Sequence, residues 1–111
     1  MSAADEVIKP VDSSMTSPEP GLRRQVMSYS QSLMLVRHKM EPGWIGAAHS
    51  HPHDQVVYVV SGHLRVVSAG RTFDVKSGDS FVVRGGVEHQ ASAMEPSLVI
   101  DVFTPCREDY I

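Results

Sequence analysis

The stretch His49-Ser50-His51-Pro52-His53-Asp54-Gln55-Val56-Val57-Tyr58-Val59-Val60-Ser61-Gly62 decides how the rest of the chain is read. Its second half is rich in β-branched residues and ends on a turn dipeptide, the signature of a strand. Its first half carries imidazoles at i and i+2, which a strand points to one face. If the strand runs without a bulge, odd-numbered residues share that face and Gln55 joins His49 and His51. With the isolated His89, these residues make four neutral nitrogen or oxygen donors, a set suited to one divalent metal ion.

Outward from this stretch the chain repeats short segments rich in Val, Leu, Met and Phe. Punctuation falls at Pro42-Gly43, Ser61-Gly62, Ala69-Gly70, Ser77-Gly78, Gly85-Gly86 and Glu95-Pro96. An interval of roughly eight to twelve residues between turn signals predicts an all-β domain. Strands are expected over 22–29, 32–40, 47–49, 55–60, 63–68, 71–76, 80–83, 89–94 and 98–103, and no segment holds a helical period for three turns. The two-residue links Ser61-Gly62 and Ala69-Gly70 predict tight hairpins between antiparallel neighbours. So many short strands call for a double-sheet jelly roll or small barrel, either of which limits exposed edges. Residues 1–21, with Pro10, Pro18, Pro20 and several serines, read as an extended N-terminal arm, leaving 22–111 as the single barrel domain.

Composition excludes several function classes. The 111 residues suffice for one domain. A net charge of −3, from 10 basic and 13 acidic side chains without runs of either sign, gives no electrostatic footprint for nucleic acid or anionic membrane. No stretch approaches the ~18 apolar residues of a membrane span, and Asp5 and Glu6 interrupt any leader-like run, so a cytoplasmic location is expected. Cys106 is the only cysteine, which excludes an intrachain disulfide, and with no histidine beside it in sequence it reads as structural rather than nucleophilic.

Spacing adds a resemblance. Gly43, five residues, His49-x-His51, three residues, Gln55, six residues and Gly62 form one block; Gly78, five residues, Arg84-x-Gly86, two residues and His89 form a second. These blocks resemble the two motifs of the cupin superfamily, whose members bind one metal ion inside a β-barrel. The resemblance implies a cupin jelly roll with His49, His51, Gln55 and His89 as metal ligands, and pairing through sheets as a homodimer. Gln55 stands where most cupins carry Glu, and a neutral donor set leaves the charge of the ion uncompensated, so a substrate oxygen is polarised more strongly. Arg84 replaces the usual Pro and Ala93 the usual Asn, neither of them an expected ligand. Zn, Ni, Fe and Mn all remain open as the ion.

The C-terminal run from Asp101 to Tyr110 narrows the resemblance to the pectin-degradation cupins that linearise unsaturated monouronates. Their Asp-x-Phe-x-x-x-Arg arrangement, important for activity in that family, corresponds here to Asp101, Phe103 and Arg107. The implied roles are proton carrier for Asp101, apolar wall for Phe103 and substrate-carboxylate holder for Arg107. An Asp101–Arg107 ion pair pinning the tail is the structural alternative. Of the face-sharing sets in 98–103, Val99, Asp101 and Phe103 carry the one carboxylate, which must be solvated or functional. His38 shares the alternation of Met34, Val36 and Met40 and is a candidate for the cavity wall; His53 reads as a supporting or surface residue and His63 as an ordinary surface one. Two other classes stay open: an Fe(II)-dependent dioxygenase, and a non-catalytic metal-containing module that binds a sugar or metabolite.

Overall fold

The computed structural model describes residues 6–111, and β1 Thr16–Glu19, β2 Leu22–Tyr29, β3 Met34–Met40, β4 Asp54–Ser61, β5 His63–Ser68, β6 Arg71–Lys76, β7 Ser80–Val83, β8 His89–Ala93 and β9 Ser97–Thr104 account for most of it. Single 3-10 turns at Asp12–Ser14 and Glu108–Tyr110 are the helical elements among the described residues. All strand pairs are antiparallel, in one sheet ordered β1-β2-β3-β9-β4-β7 and another ordered β6-β5-β8. This is the expected all-β jelly roll. The sheets face each other across a core in which Val57, Val59 and Val99 of the larger meet Leu64, Val66, Val75 and Ala93 of the smaller. Alternation holds where it was read: Val57 and Val59 are buried while Val56, Tyr58 and Val60 are exposed.

Two local expectations are corrected. Ala69-Gly70 does form a two-residue hairpin, both residues at positive φ, with Ser68 paired to Arg71. Ser61-Gly62 does not, because β4 and β5 lie in different sheets and the link is a corner where the chain crosses between them. Gly62 has φ +104°, and a Cβ there would overlap Ser97 and the Pro96 carbonyl, so the corner closes against the start of β9. The strand expected at 47–49 is also absent as a regular element. Isolated bridges join Ile45 to Ser92 and His49 to His89, with three residues between them on one side and two on the other, so the segment runs beside β8 with one residue bulged.

The arm over 1–21 lies partly outside the described residues, at 1–5. Its later part adds β1 to the edge of the larger sheet, although all four β1 residues are exposed. Its anchors are polar and sit on the outer face of β2 and β3. Gln25 donates to Lys9 O (2.9 Å) and accepts from Val11 N (3.1 Å), while Asp12 accepts from Lys39 (2.6 Å) and Arg37 (3.1 Å). Those hydrogen bonds, Lys39 first and Arg37 second, hold the Asp12 carboxyl below its usual 3.8. A depressed folded-state pKa stabilises above the unfolded value and is lost as pH falls through the folded one. Asp12→Asn is therefore expected to speed amide exchange in β1 severalfold at neutral pH, with wild type approaching the variant in acid and the core strands unchanged.

Candidate metal centre and cavity

The bulge before His49 and the tight approach of the 85–86 turn set the histidine geometry. Gly86 N donates to His51 O (2.7 Å), and His49 and His89 exchange both backbone hydrogen bonds (2.9 and 3.0 Å). Gly85 N donates to Asp54 Oδ1 (2.8 Å), and a Cβ on Gly85 would overlap the Pro52 carbonyl. The segment carrying two imidazoles is thereby pressed against the start of β8, which carries the third. A ring nitrogen from each of His49, His51 and His89 lies within 4.8 Å of the others.

Each ring is also fixed in its tautomer. Nδ1 of His49 lies 3.0 Å from Ala47 O, that of His51 3.0 Å from His53 O, and that of His89 3.0 Å from Val87 O. A carbonyl can only accept, so Nδ1–H donates in all three and the Nε2 lone pairs are left to the cluster. Burial pushes the His51 and His89 imidazoles below their ordinary range, with the Arg107 charge adding to the effect at His51. Both changes favour neutral rings, the form that binds a metal ion. His51 Nε2 faces Gln55 Oε1 at 3.1 Å, and with Nδ1 already the donor this sets one lone pair against another. A divalent cation is the species that answers such a convergence, so the four donors fit one.

Gln55 is oriented from its other end, where its Nε2 donates to Asp101 Oδ1 at 2.9 Å. Asp101 is only 3 % exposed, and its Oδ2 accepts from His38 Nδ1 at 2.5 Å. His38 Nε2 in turn accepts from Arg24 Nε at 3.0 Å. Arg24 and His38 are direct cross-strand partners, whereas Asp101 is offset by two residues from the partners of both His38 and Gln55. A diagonal polar row therefore crosses β2, β3, β9 and β4 and ends at the histidine cluster. Arg24, His38, Asp101, Gln55, His49 and His89 all line one cavity of about 430 Å³. That volume suits a small-molecule site.

Residues 36–103 match the cupin domain family. The chain belongs to the cupin family. This cupin is 36 % identical over 93 residues to the pectin degradation protein KdgF of Dickeya dadantii (strain 3937), covering 82 % of this chain and 84 % of that one. It is similar to the structure of KdgF from Halomonas sp., with a TM-score of 0.84 and 39 % identity over 87 % of this chain and 92 % of that one. An RmlC-like cupin from Shewanella frigidimarina NCIMB 400 also superposes with a TM-score of 0.84, at 36 % identity over 87 % of each chain.

The cupin brings most of the residues singled out in its sequence to one place. Phe103 stands apart from the cavity surface: it is 1 % exposed, packed with Met34, Val36 and Cys106, and backs the His51 and Tyr110 rings at 5.9 and 5.6 Å. Arg107 does line the cavity, but the Asp101–Arg107 ion pair is not formed. Arg107 Nε and Nη2 donate to Asp109 (3.2 and 2.7 Å) and Nη1 to the Tyr110 hydroxyl (2.9 Å). The pair holds the Asp109 carboxyl down, and burial pushes the Tyr110 hydroxyl up. His53 sits beside His51 and Phe103, its Nδ1 buried without a hydrogen bond. His63 is half-buried next to Asp74, 3.2 Å away. Burial raises the Cys106 pKa, keeping an inert thiol. Arg24 and Tyr110 are cavity residues that the sequence reading passed over. Arg24 was legible in principle from its even-numbered alternation with Leu22 on β2, but Tyr110 depends on a tail whose path no periodicity describes. No helix of the described residues is long and apolar enough to cross a membrane.

Proposed function

We propose that this cupin converts cyclic 4,5-unsaturated monouronates to linear 4-deoxy-5-keto uronates. The observation that carries the proposal is a buried carboxylate, Asp101, held on both oxygens and set in the same cavity as a three-histidine cluster. Similarity to KdgF, a pectin degradation protein, supports a uronate as substrate. Asp101 takes the proton of the anomeric hydroxyl; the bond from the anomeric carbon to the ring oxygen breaks, and its electron pair leaves with that oxygen as an enolate. The anomeric carbon becomes an aldehyde. The proton held on Asp101 is then delivered to C4, and C5 becomes a ketone. Atoms and electrons balance within the substrate, so no co-reactant is required. His49, His51, Gln55 and His89 would hold a divalent ion, which when bound would supply Lewis-acid stabilisation for negative charge on oxygen.

His38 and Gln55 keep the carboxylate in place while its protonation changes, and Phe103 supports the His51 ring from behind. The test is loss of the ultraviolet absorbance of the C4–C5 double bond when the metal-analysed protein is mixed with unsaturated galacturonate. Acceleration over the uncatalysed rate, abolished by chelation and without oxygen uptake, is expected. No acceleration overturns the proposal, and metal-dependent oxygen uptake would move the protein to the dioxygenase class.

We also infer that the protein acts in the cytoplasm as a homodimer. The outer face of β4 and β7 exposes Val56, Tyr58 (46 %), Val60 and Val82 (57 %), with Val56 and Val82 paired side by side. A contiguous apolar face of this kind suits a second copy of the same sheet. Sedimentation equilibrium is expected to give twice the chain mass for wild type and the chain mass for Tyr58→Lys, with unchanged β-sheet circular dichroism. A monomeric wild type would refute the pairing.

A further inference from the structure

Two guanidinium groups line the cavity, and they stand in opposite states. Arg107 is committed: its forked pair with Asp109 matches its charge, and its remaining nitrogen holds the Tyr110 hydroxyl. Arg24 is anchored without being matched. Its Nε donates to His38, and its Cζ lies 3.6 Å from the centroid of the Tyr110 ring. Among the described residues no carboxylate pairs with Arg24, and its two terminal nitrogens have no hydrogen-bond partner. Glu19 also lines the cavity, but it accepts from Trp44 Nε1 at 2.7 Å. Asp101 is separated from Arg24 by the His38 ring.

A half-buried guanidinium fixed at Nε and stacked on an aromatic ring presents its outer edge in a set orientation. The ligand that matches that edge is a planar carboxylate accepting two parallel N–H bonds. We propose that Arg24, rather than Arg107, seats the carboxylate of the sugar acid through Nη1 and Nη2, and so selects a uronate over a neutral sugar. This rests on the reading of the site as one for unsaturated uronates. Arg107 then becomes a positioning residue: it holds the Tyr110 hydroxyl, with its own Cζ 4.2 Å from the ring centroid, and so keeps the platform under Arg24. Because Arg24 also fixes His38, the group that grips the substrate and the group that moves its proton belong to one hydrogen-bonded row.

The experiment compares KM and kcat for unsaturated galacturonate and for its C6 carboxamide in wild type, Arg24→Gln, Arg24→Lys and Arg107→Gln, each checked for an intact melting transition. Arg24→Gln is expected to raise KM for the acid by about 10- to 100-fold, as loss of a charge-assisted pair does, and to leave KM for the amide within about twofold. Arg24→Lys keeps the charge but loses the fork, so an intermediate loss of acid preference is expected. It carries the comparison should the glutamine variant not fold, and full retention of preference in it would overturn the two-bond seating. An equal fall in kcat on acid and amide, with acid preference intact, would show that Arg24 works only through His38 and overturn the proposal. Arg107→Gln erasing the acid preference while Arg24→Gln keeps it would do the same. Calorimetric titration with galacturonate and with galactose separates this inference from the reaction itself. If wild type turns over neither unsaturated sugar but binds galacturonate more tightly than galactose, and Arg24→Gln removes the difference, the reaction fails and Arg24 stands. Equal binding of both sugars by wild type overturns Arg24.

Discussion

Asp101→Asn is expected to slow the enzymatic loss of unsaturated uronate by about 10²- to 10⁴-fold, the range for removing a positioned general acid–base group. The asparagine is nearly isosteric, so the cavity keeps its shape, but it cannot shuttle the proton between the anomeric oxygen and C4. It also changes the hydrogen bonding. His38 and Gln55 both arrive at position 101 as donors, and an amide has only one acceptor oxygen to offer them. One donor is left facing N–H, at a stability cost of about 1–3 kcal/mol. The expected signature is a large fall in turnover with a modest fall in melting temperature and an unchanged metal content. Turnover within about twofold of wild type would remove Asp101 from the mechanism.

His51→Ala is expected to have the larger effect, emptying the site of metal and abolishing measurable turnover. His51 is buried, its tautomer is locked by the His53 carbonyl, and its Nε2 faces both the other imidazoles and the Gln55 oxygen. Loss of one of four donors to a divalent ion lowers affinity steeply, and the metal-linked part of folding stability goes with it. Elemental analysis should find roughly one ion per chain in wild type and close to none in the variant. Added divalent metal should raise the melting temperature of wild type and leave that of His51→Ala unchanged. A variant that retains full metal and turnover would place the ion elsewhere.

The sequence made the interior readable wherever a strand alternates without interruption. On β9 and β3 the inward rows are Val99, Asp101 and Phe103, and Met34, Val36, His38 and Met40, and parity alone brings Asp101 and His38 to the same side. Parity singled out His49, His51 and Gln55 together, although the segment that carries the histidines is not the regular strand that reading assumed: a bulge precedes them and Pro52, which has no N–H to give a ladder, follows. Spacing against known cupin motifs pointed to the same residues independently. The Ser61-Gly62 dipeptide misled because a turn signal states that the chain bends, not whether the next strand pairs or changes sheet. Arg107 and Phe103 were assigned to the cavity by a short C-terminal pattern, which says nothing about Asp109 two residues on. Arg24 carried no motif, and its lack of a carboxylate partner among the described residues is visible only once the contacts of the other charged groups in the cavity are known.

The diagonal row from Arg24 to Gln55 also bears on how such a protein ages in evolution. Its hydrogen bonds converge on Asp101 from both sides, so a carboxylate is the occupant that satisfies both donors without adding a proton of its own. Architecture alone therefore retains Asp101, whether or not any sugar is ever turned over. A descendant that had lost its substrate would keep this acid for folding reasons, while Arg24, whose only side-chain hydrogen bond among the described residues is the one from Nε to His38 and whose charge no carboxylate there matches, would be held less firmly. Among relatives that share the row, an intact acid is weak testimony to activity, and an intact unmatched arginine is the stronger one.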